Sequence, residues 1–299
     1  MKMNKVKENL GRGPIGRSVI AFAQECASEK ITSINEIRNA EAESNALLKT
    51  VISNEDLQTH DPLHAIYLLA QNQLSVLMEE VSALPMLDKL TKMLIKAGNK
   101  YVPNDLIIPP ITKTFYSGWS NFDFIFNEKD KETLSTIAID LYQFISNDKV
   151  MIEFYENMQK SYMGIYRVER VFERFVFLTE LITEKEIKAI VPSGHIGEKG
   201  EIWYVRIFPS PVTIKQFDYS MVYNTPYVLG KNKASTENEW LNFFDRNLPK
   251  PKIQNRIEAY EYLMKYGLSR NYWIDFIQAS YRPVFRNEVI FLEGVPDIR

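Results

Sequence analysis

Residues Phe175 to Pro211 read FVFLTELITEKEIKAIVPSGHIGEKGEIWYVRIFPSP, and this stretch decides the fold. Two apolar runs, Phe175 to Ile182 and Ile187 to Val191, flank the polar turn Thr183-Glu184-Lys185-Glu186. Gly194 to Gly200 makes a second loop, and Glu201 to Phe208 follows as an aromatic, β-branched strand. Upstream, Tyr162 to Arg174 fits a helix that aligns Tyr166, Arg170 and Arg174, or a strand that alternates Tyr166, Val168, Arg170 and Phe172. The hairpins that follow decide for the strand. Phe217 to Leu229 adds one or two more strands, so a small antiparallel β-sheet or barrel is expected over about 163–229.

Helices are expected on both sides of it. Toward the N-terminus, Pro14 suits a first helical position, and Ile15, Val19, Phe22, Ala23 and Cys26 then recur at helical spacing. A weakly apolar helix is expected over Asn35 to Ser53. Asp61 and Pro62 open another helix, carrying Leu63, Tyr67, Leu68, Leu74, Leu77 and Met78. Leu84 to Ala97 follows, with Gly98 as its expected stop. Phe115 to Phe126 is an aromatic run suited to a strand or ordered loop, and helices are expected at Glu132 to Ser146 and Lys149 to Lys160. After Gly230, the pair Thr236 and Glu239 reads as a capping box that opens a helix with Trp240, Phe243 and Phe244 inward. Helices from Ile257 to Gly267 and after Ser269 follow, then a strand from Val289 to Leu292.

Of the 17 Phe, 16 Tyr and 4 Trp, only Phe22 and Tyr67 fall within the first 100 residues. The expected architecture is therefore α+β: a helical N-terminal region (1–100), then an aromatic-rich body (101–299) with a β-rich core at 163–229 and C-terminal helices at 236–282.

Charge and composition exclude several classes. Lys and Arg number 36 against 38 Asp and Glu, a formal charge of −2, so no global basic field holds a polyanion. No apolar run reaches the length of a spanning helix, and no secretion signal is read at the start. With a single cysteine, Cys26, no internal disulfide forms, and the cytoplasm is the expected compartment.

The candidate motifs are weak. Gly11-Arg12-Gly13-Pro14-Ile15-Gly16 matches G-x-G-x-x-G, with Glu36 where a ribose-binding acid would stand, but no buried strand precedes it. His60 and His64 have the spacing of two metal ligands on one helical turn, yet Asp61-Pro62 occupies the place of the general base and starts the helix after His60. His195 has no partner legible in its loop. Cys26 shares its face with Val19 and Phe22 and reads as a small buried hydrophobe. Glu186-Ile187-Lys188 lacks the upstream Asp that a metal-dependent nuclease needs. No serine-nucleophile elbow and no phosphate loop of the NTPase type occurs.

Two surface features remain. Lys89, Lys92, Lys96 and Lys100 form a basic stripe able to track a polyanion. Tyr116, Trp119 and Tyr223 are candidate groove aromatics, and Arg167, Arg170 and Arg174 mix with tyrosines as in single-strand binders, with Glu169 and Glu173 interleaved. No acid, base and nucleophile or metal assemble legibly, and no cofactor is implied. The expectation is a non-catalytic cytoplasmic protein that binds another protein or a second copy of itself, as an accessory, scaffold or regulatory subunit. A weak nucleic-acid binder using the lysine stripe is the alternative, and an enzyme with no legible motif the third reading. No membrane contact is expected.

Overall fold

The computed structural model describes residues 11–29, 60–102, 110–230, 233–284, 286 and 288–297; the helix expected over Asn35 to Ser53, and Glu36 within it, lie outside these. The described helices are α1 (Pro14–Glu29), α2 (Pro62–Ser82), α3 (Asp88–Tyr101), α4 (Lys113–Gly118), α5 (Leu134–Ile145), α6 (Lys149–Lys160), α7 (Lys233–Asn247), α8 (Arg256–Tyr266) and α9 (Tyr272–Ser280). The strands are β1 (Met163–Phe172), β2 (Phe175–Glu180), β3 (Glu186–Ile190), β4 (Ile202–Phe208), β5 (Ser220–Val222), β6 (Tyr227–Leu229), β7 (Tyr281–Arg282) and β8 (Ile290–Leu292). The fold is α+β, with a helical N-terminal region and a small closed barrel. Two compact units share the chain: described residues up to Lys92 group with Ile125–Gln159, and Met93–Phe124 group with those from Lys160 onward.

In the first unit, Asp61 caps α2, its carboxylate accepting from the amides of Leu63 (2.9 Å) and His64 (3.4 Å). Leu63, Tyr67, Ala70, Leu74, Met78 and Val81 then form one buried stripe at helical spacing. Thr133 and Thr136 cap α5 reciprocally, and Ile137, Ala138 and Ile139 behind them are fully buried. Tyr67 meets Phe154 of α6 edge to face, with ring centroids 4.8 Å apart. The inner face of α1 differs from the expected one. Gly13, Gly16, Val19 and Ile20 point inward, Phe22 is exposed and Cys26 is half-buried. The two glycines set this rotation by letting the helix start lie close against carboxylates of the same unit.

In the second unit four local expectations are corrected. Helix α3 runs through Gly98 instead of stopping there. A Cβ at Gly98 would stand 3.2 Å from the Tyr116 hydroxyl, which donates to the Leu94 carbonyl (2.5 Å), so the glycine serves a close ring approach. The aromatic run from Phe115 is helical as far as Asp123: Thr112 caps α4, a π-helical turn, Trp119–Asp123, continues it, and only Phe124 to Phe126 is loop. Phe115, Trp119 and Phe122 are buried at helical spacing, which the neighbouring Phe124 and Phe126 disguise as alternation. Helix α7 begins at Lys233, so Thr236 lies inside it, buried, and does not open it; Trp240, Phe243 and Phe244 face inward as expected. Helix α8 ends at Gly267 (φ 69°), and the next N-cap position is Asn271 rather than Ser269.

The barrel closes in the order β1-β2-β3-β5-β4 and back to β1; β6, β8 and β7 extend the sheet beyond β4. Every pair is antiparallel except β3 with β5 and β6 with β8. That order with its parallel closure is the arrangement of an OB-type Greek-key barrel. Val168, Val176, Leu178, Trp203, Val205 and Val222 fill the inside. All seven residues of β4 are buried, because Trp203, Val205 and Ile207 face the barrel interior while Tyr204 meets Trp273 and Phe276 of α9.

Glu180, at the end of β2, is buried against Tyr162 and Thr183, whose hydroxyls donate to its Oε2 at 3.3 and 2.5 Å. Burial raises its pKa above the ordinary glutamate value, and hydrogen bonds from Thr183 and the surrounding tyrosines only partly oppose this. The folded state therefore holds this proton more tightly than the unfolded chain does. Its contribution to stability is largest in acid and is lost as pH rises through the raised folded pKa. Glu180→Gln is expected to remove that step: in urea titrations across pH 4 to 8, the variant gains on the wild type as pH increases. Parallel pH profiles would contradict the assignment.

Candidate binding surface on the barrel

The β1–β2 hairpin sets this surface. A bulge between Val168 and Arg170 shifts the register, so that Val171 stands opposite Val176 while Arg170 faces Phe177 and Phe172 faces Phe175. Residues paired directly across antiparallel strands share a face. On β3, Phe177 faces Lys188 and Phe175 faces Ile190. The outer wall thus carries two cross-strand rows: Arg170, Phe177, Lys188 and Phe172, Phe175, Ile190. The guanidinium of Arg170 lies 3.8 Å from the Phe177 ring centroid, and Lys188 Nζ lies 4.3 Å from that of Phe175. Arg174 stands 5.0 Å from Phe175 and 5.7 Å from Tyr219, which meets Phe175 edge to face at 5.2 Å. Asp218 accepts from Lys188 at 2.8 Å, and this hydrogen bond lowers its pKa. At the tip, Glu173 adopts a left-handed φ of 53°, uncommon outside glycine.

Beside the hairpin tip lies a pocket of about 200 Å³ lined by Arg174, Phe175, Val176, Val191, His195 and Ile196, among others. Ile196 of its lining is 61% exposed, and Phe172, paired across the hairpin with the lining residue Phe175, is 56% exposed, so two large apolar side chains stand in solvent here. His195, which had no legible partner, is buried, with Nε2 3.2 Å from Glu201 Oε2. Trp203 Nε1 donates to the same oxygen at 2.8 Å. Burial pushes the Glu201 carboxyl up, but the hydrogen bonds from His195 and Trp203 outweigh it and hold the pKa below the ordinary value. Gly197 (φ 75°) closes this loop, where a Cβ would overlap the Trp203 ring. The dyad braces one wall of the pocket.

No family model, curated protein or solved structure matches the chain.

Of the residues singled out from sequence, Arg170, Arg174 and His195 belong to this surface, and the lysine stripe and groove aromatics lie elsewhere. Lys89, Lys92, Lys96 and Lys100 are all exposed on α3; Lys92 pairs with Asp88 at 2.6 Å, and Lys100 Nζ donates to the Tyr101 hydroxyl at 3.0 Å. Trp119 is buried, its Nε1 donating to the Arg270 carbonyl at 3.2 Å, and Tyr116 packs on α3. Tyr223 is half-buried and stacks on Phe208, with centroids 4.5 Å apart. Arg167 is held by Glu169 and Glu237, so of the three arginines only Arg170 and Arg174 lie over rings of the hairpin. The rows were missed because cross-strand partners and a bulge leave no mark in a linear pattern.

The glycine-rich motif at the start of α1 is occupied by the protein itself. Glu132 Oε1 accepts from the Gly16 amide at 2.8 Å, and Asp140 Oδ2 accepts from the Arg12 amide at 2.7 Å. The Arg12 guanidinium pairs with Asp140 and Glu156. Carboxylates thus sit where a phosphate would meet the helix start. His60 and His64 stack tilted at 4.7 Å, with His60 before α2, and among the described residues no group of three or more His, Cys, Asp or Glu is placed to hold a metal. Among those residues, too, no helix is long and apolar enough to cross a membrane.

Proposed function

We propose that this protein acts by binding another protein, as a non-catalytic accessory or regulatory subunit in the cytoplasm, through the β1–β2 hairpin tip and the pocket beside it. The carrying observation is a pair of exposed apolar residues, Ile196 in the lining of an apolar pocket and Phe172 paired across the hairpin with the lining residue Phe175, with Arg174 also in the lining. Aromatic and arginine anchors around a pocket are the composition of interface hot spots. OB-type barrels use the strand 2–3 face and the loop between strands 1 and 2 for ligands, an analogy of fold that adds support. Glu173, Glu186 and Asp218 balance Arg170 and Lys188 of the rows and Arg174 of the turn, which favours a protein over a polyanion.

A photo-crosslinking residue in place of Phe172 is expected to capture one defined protein in cells, while the same residue at exposed Lys215 does not. The double variant F172S/I196S is expected to weaken that complex by at least about 30-fold, the size of a hot-spot loss. Equal crosslinking at both positions, with the purified protein a strict monomer, would overturn the reading. The stacking of Arg170 on Phe177 favours a second reading, single-stranded nucleic acid. Salt-dependent binding of a short oligonucleotide, lost on Phe177→Ala, would select it, and loss on substitution of Lys89, Lys92, Lys96 and Lys100 would move it to α3.

A further inference from the structure

Three elements of the second unit bring charged side chains into one buried cluster. Arg206 comes from β4, Lys265 from α8, and Asp123 from the end of the π-helical turn, a rare conformation found often at functional positions. Side-chain exposures are 2% for Arg206, 6% for Asp123 and 10% for Lys265. Arg206 pairs with Asp123 through Nη2 and donates from Nη1 to the Ser161 carbonyl (2.8 Å) and hydroxyl (3.1 Å). Lys265 Nζ donates to the same carbonyl at 2.9 Å and stands 3.4 Å from Asp123 Oδ1. The Tyr204 hydroxyl, buried within the influence of Asp123 and Arg206, has no hydrogen-bond partner.

Two cations share one carboxylate here. Arginine does not give up its proton in a protein, so only the lysine can shed the excess charge. Its side chain is the least buried of the three, and the Asp123 carboxylate stands 3.4 Å from its nitrogen. We propose that Lys265 is a reactive amine that condenses with a small carbonyl compound, an aldehyde or 2-oxo acid, to form an imine. The nitrogen lone pair attacks the carbonyl carbon and the C–O π pair becomes an alkoxide. Asp123 relays the two amine protons in turn to that oxygen, the first making the carbinolamine hydroxyl and the second releasing it as water while the C=N bond forms. A lysine beside a second cation is a known way to make a nucleophilic amine at neutral pH. Desolvation supports this: burial, with Arg206 adding to it and Asp123 opposing, lowers the Lys265 pKa to about 8.

The test is competitive labelling of the folded full chain with glyoxylate and cyanoborohydride at pH 7.5, read by peptide mass spectrometry. Relative to an ordinary lysine, an amine of this kind is about 200-fold richer in the neutral form at that pH. Restricted access takes part of this back, and labelling at Lys265 is expected to be about tenfold faster than at exposed Lys215. The Lys265 rate is also expected to level off between pH 8 and 9. Asp123→Asn, if it folds, should shift that plateau to lower pH, because the carboxylate that favours the charged amine is gone; if it does not fold, the wild-type profile decides. Labelling at Lys265 no faster than at Lys215, or still rising steeply at pH 9.5, would overturn the proposal.

Discussion

Arg206→Met is expected to lower the free energy of unfolding by about 3 kcal/mol or more, the range measured when one partner of a buried ion pair is removed. Arg206 is 1% exposed and satisfies three acceptors on two segments, Asp123 before the barrel and Ser161 at its first strand. Methionine fills much of the volume but leaves the Asp123 carboxylate with only Lys265, at 3.4 Å. It also leaves the Ser161 hydroxyl without its donor. Coulombic attraction to Lys265 moderates the loss, which is why the lower end of the range is expected. The double variant D123N/R206M is expected to be more stable than R206M alone, since the uncompensated anion is gone. Denaturant titrations followed by tryptophan fluorescence check both, the buried Trp203, Trp240 and Trp273 all lying in this unit. A loss below about 1 kcal/mol for R206M would mean that the pair costs as much in desolvation as it returns.

That cluster shows where sequence reading stops. The strands of 163–229 were legible because each hairpin announces itself locally, by a polar turn between β-branched or aromatic runs. Closure was not, since Met163 to Arg167 pair with Ile202 to Arg206 and nothing in either segment names the other. Nothing around Arg206 in the sequence marks it as buried; its partners, Asp123 at the end of the π-helical turn and Ser161 before β1, are distant in the chain. The lesson of Thr236 is similar. The capping pattern is present, but packing behind Gly230 buries that threonine inside a helix that starts earlier, so tertiary contact overrides a local signal. At the candidate surface the sequence supplied the arginines, and only the bulge at Val168 to Arg170 decided which of them lie over aromatic rings.

The glycine-rich stretch serves packing at the start of α1, and a double-mutant cycle tests that role. A Cβ at Gly13 would overlap the Glu132 carboxyl, which is 1% exposed and bonds the Gly16 amide, while Asn127 Nδ2 donates to its other oxygen at 3.2 Å. Gly13→Ala is therefore expected to cost about 2–3 kcal/mol by overpacking, less the few tenths that alanine returns in helix propensity near the helix start. Glu132→Ala is expected to cost about 2–3 kcal/mol as well, because it strands a buried amide and opens space beneath α1. If the glycine exists to admit this carboxylate, the two losses are not additive: in the E132A background the added methyl meets no carboxyl and fills part of the gap, so G13A should then cost less than about 1 kcal/mol. The cycle would return a coupling of about 1.5 kcal/mol or more. Additive losses would show that Gly13 is required for some other reason, and a phosphate-binding role for the motif would then deserve a direct titration with inorganic phosphate in the E132A protein, where the Gly16 amide is no longer taken.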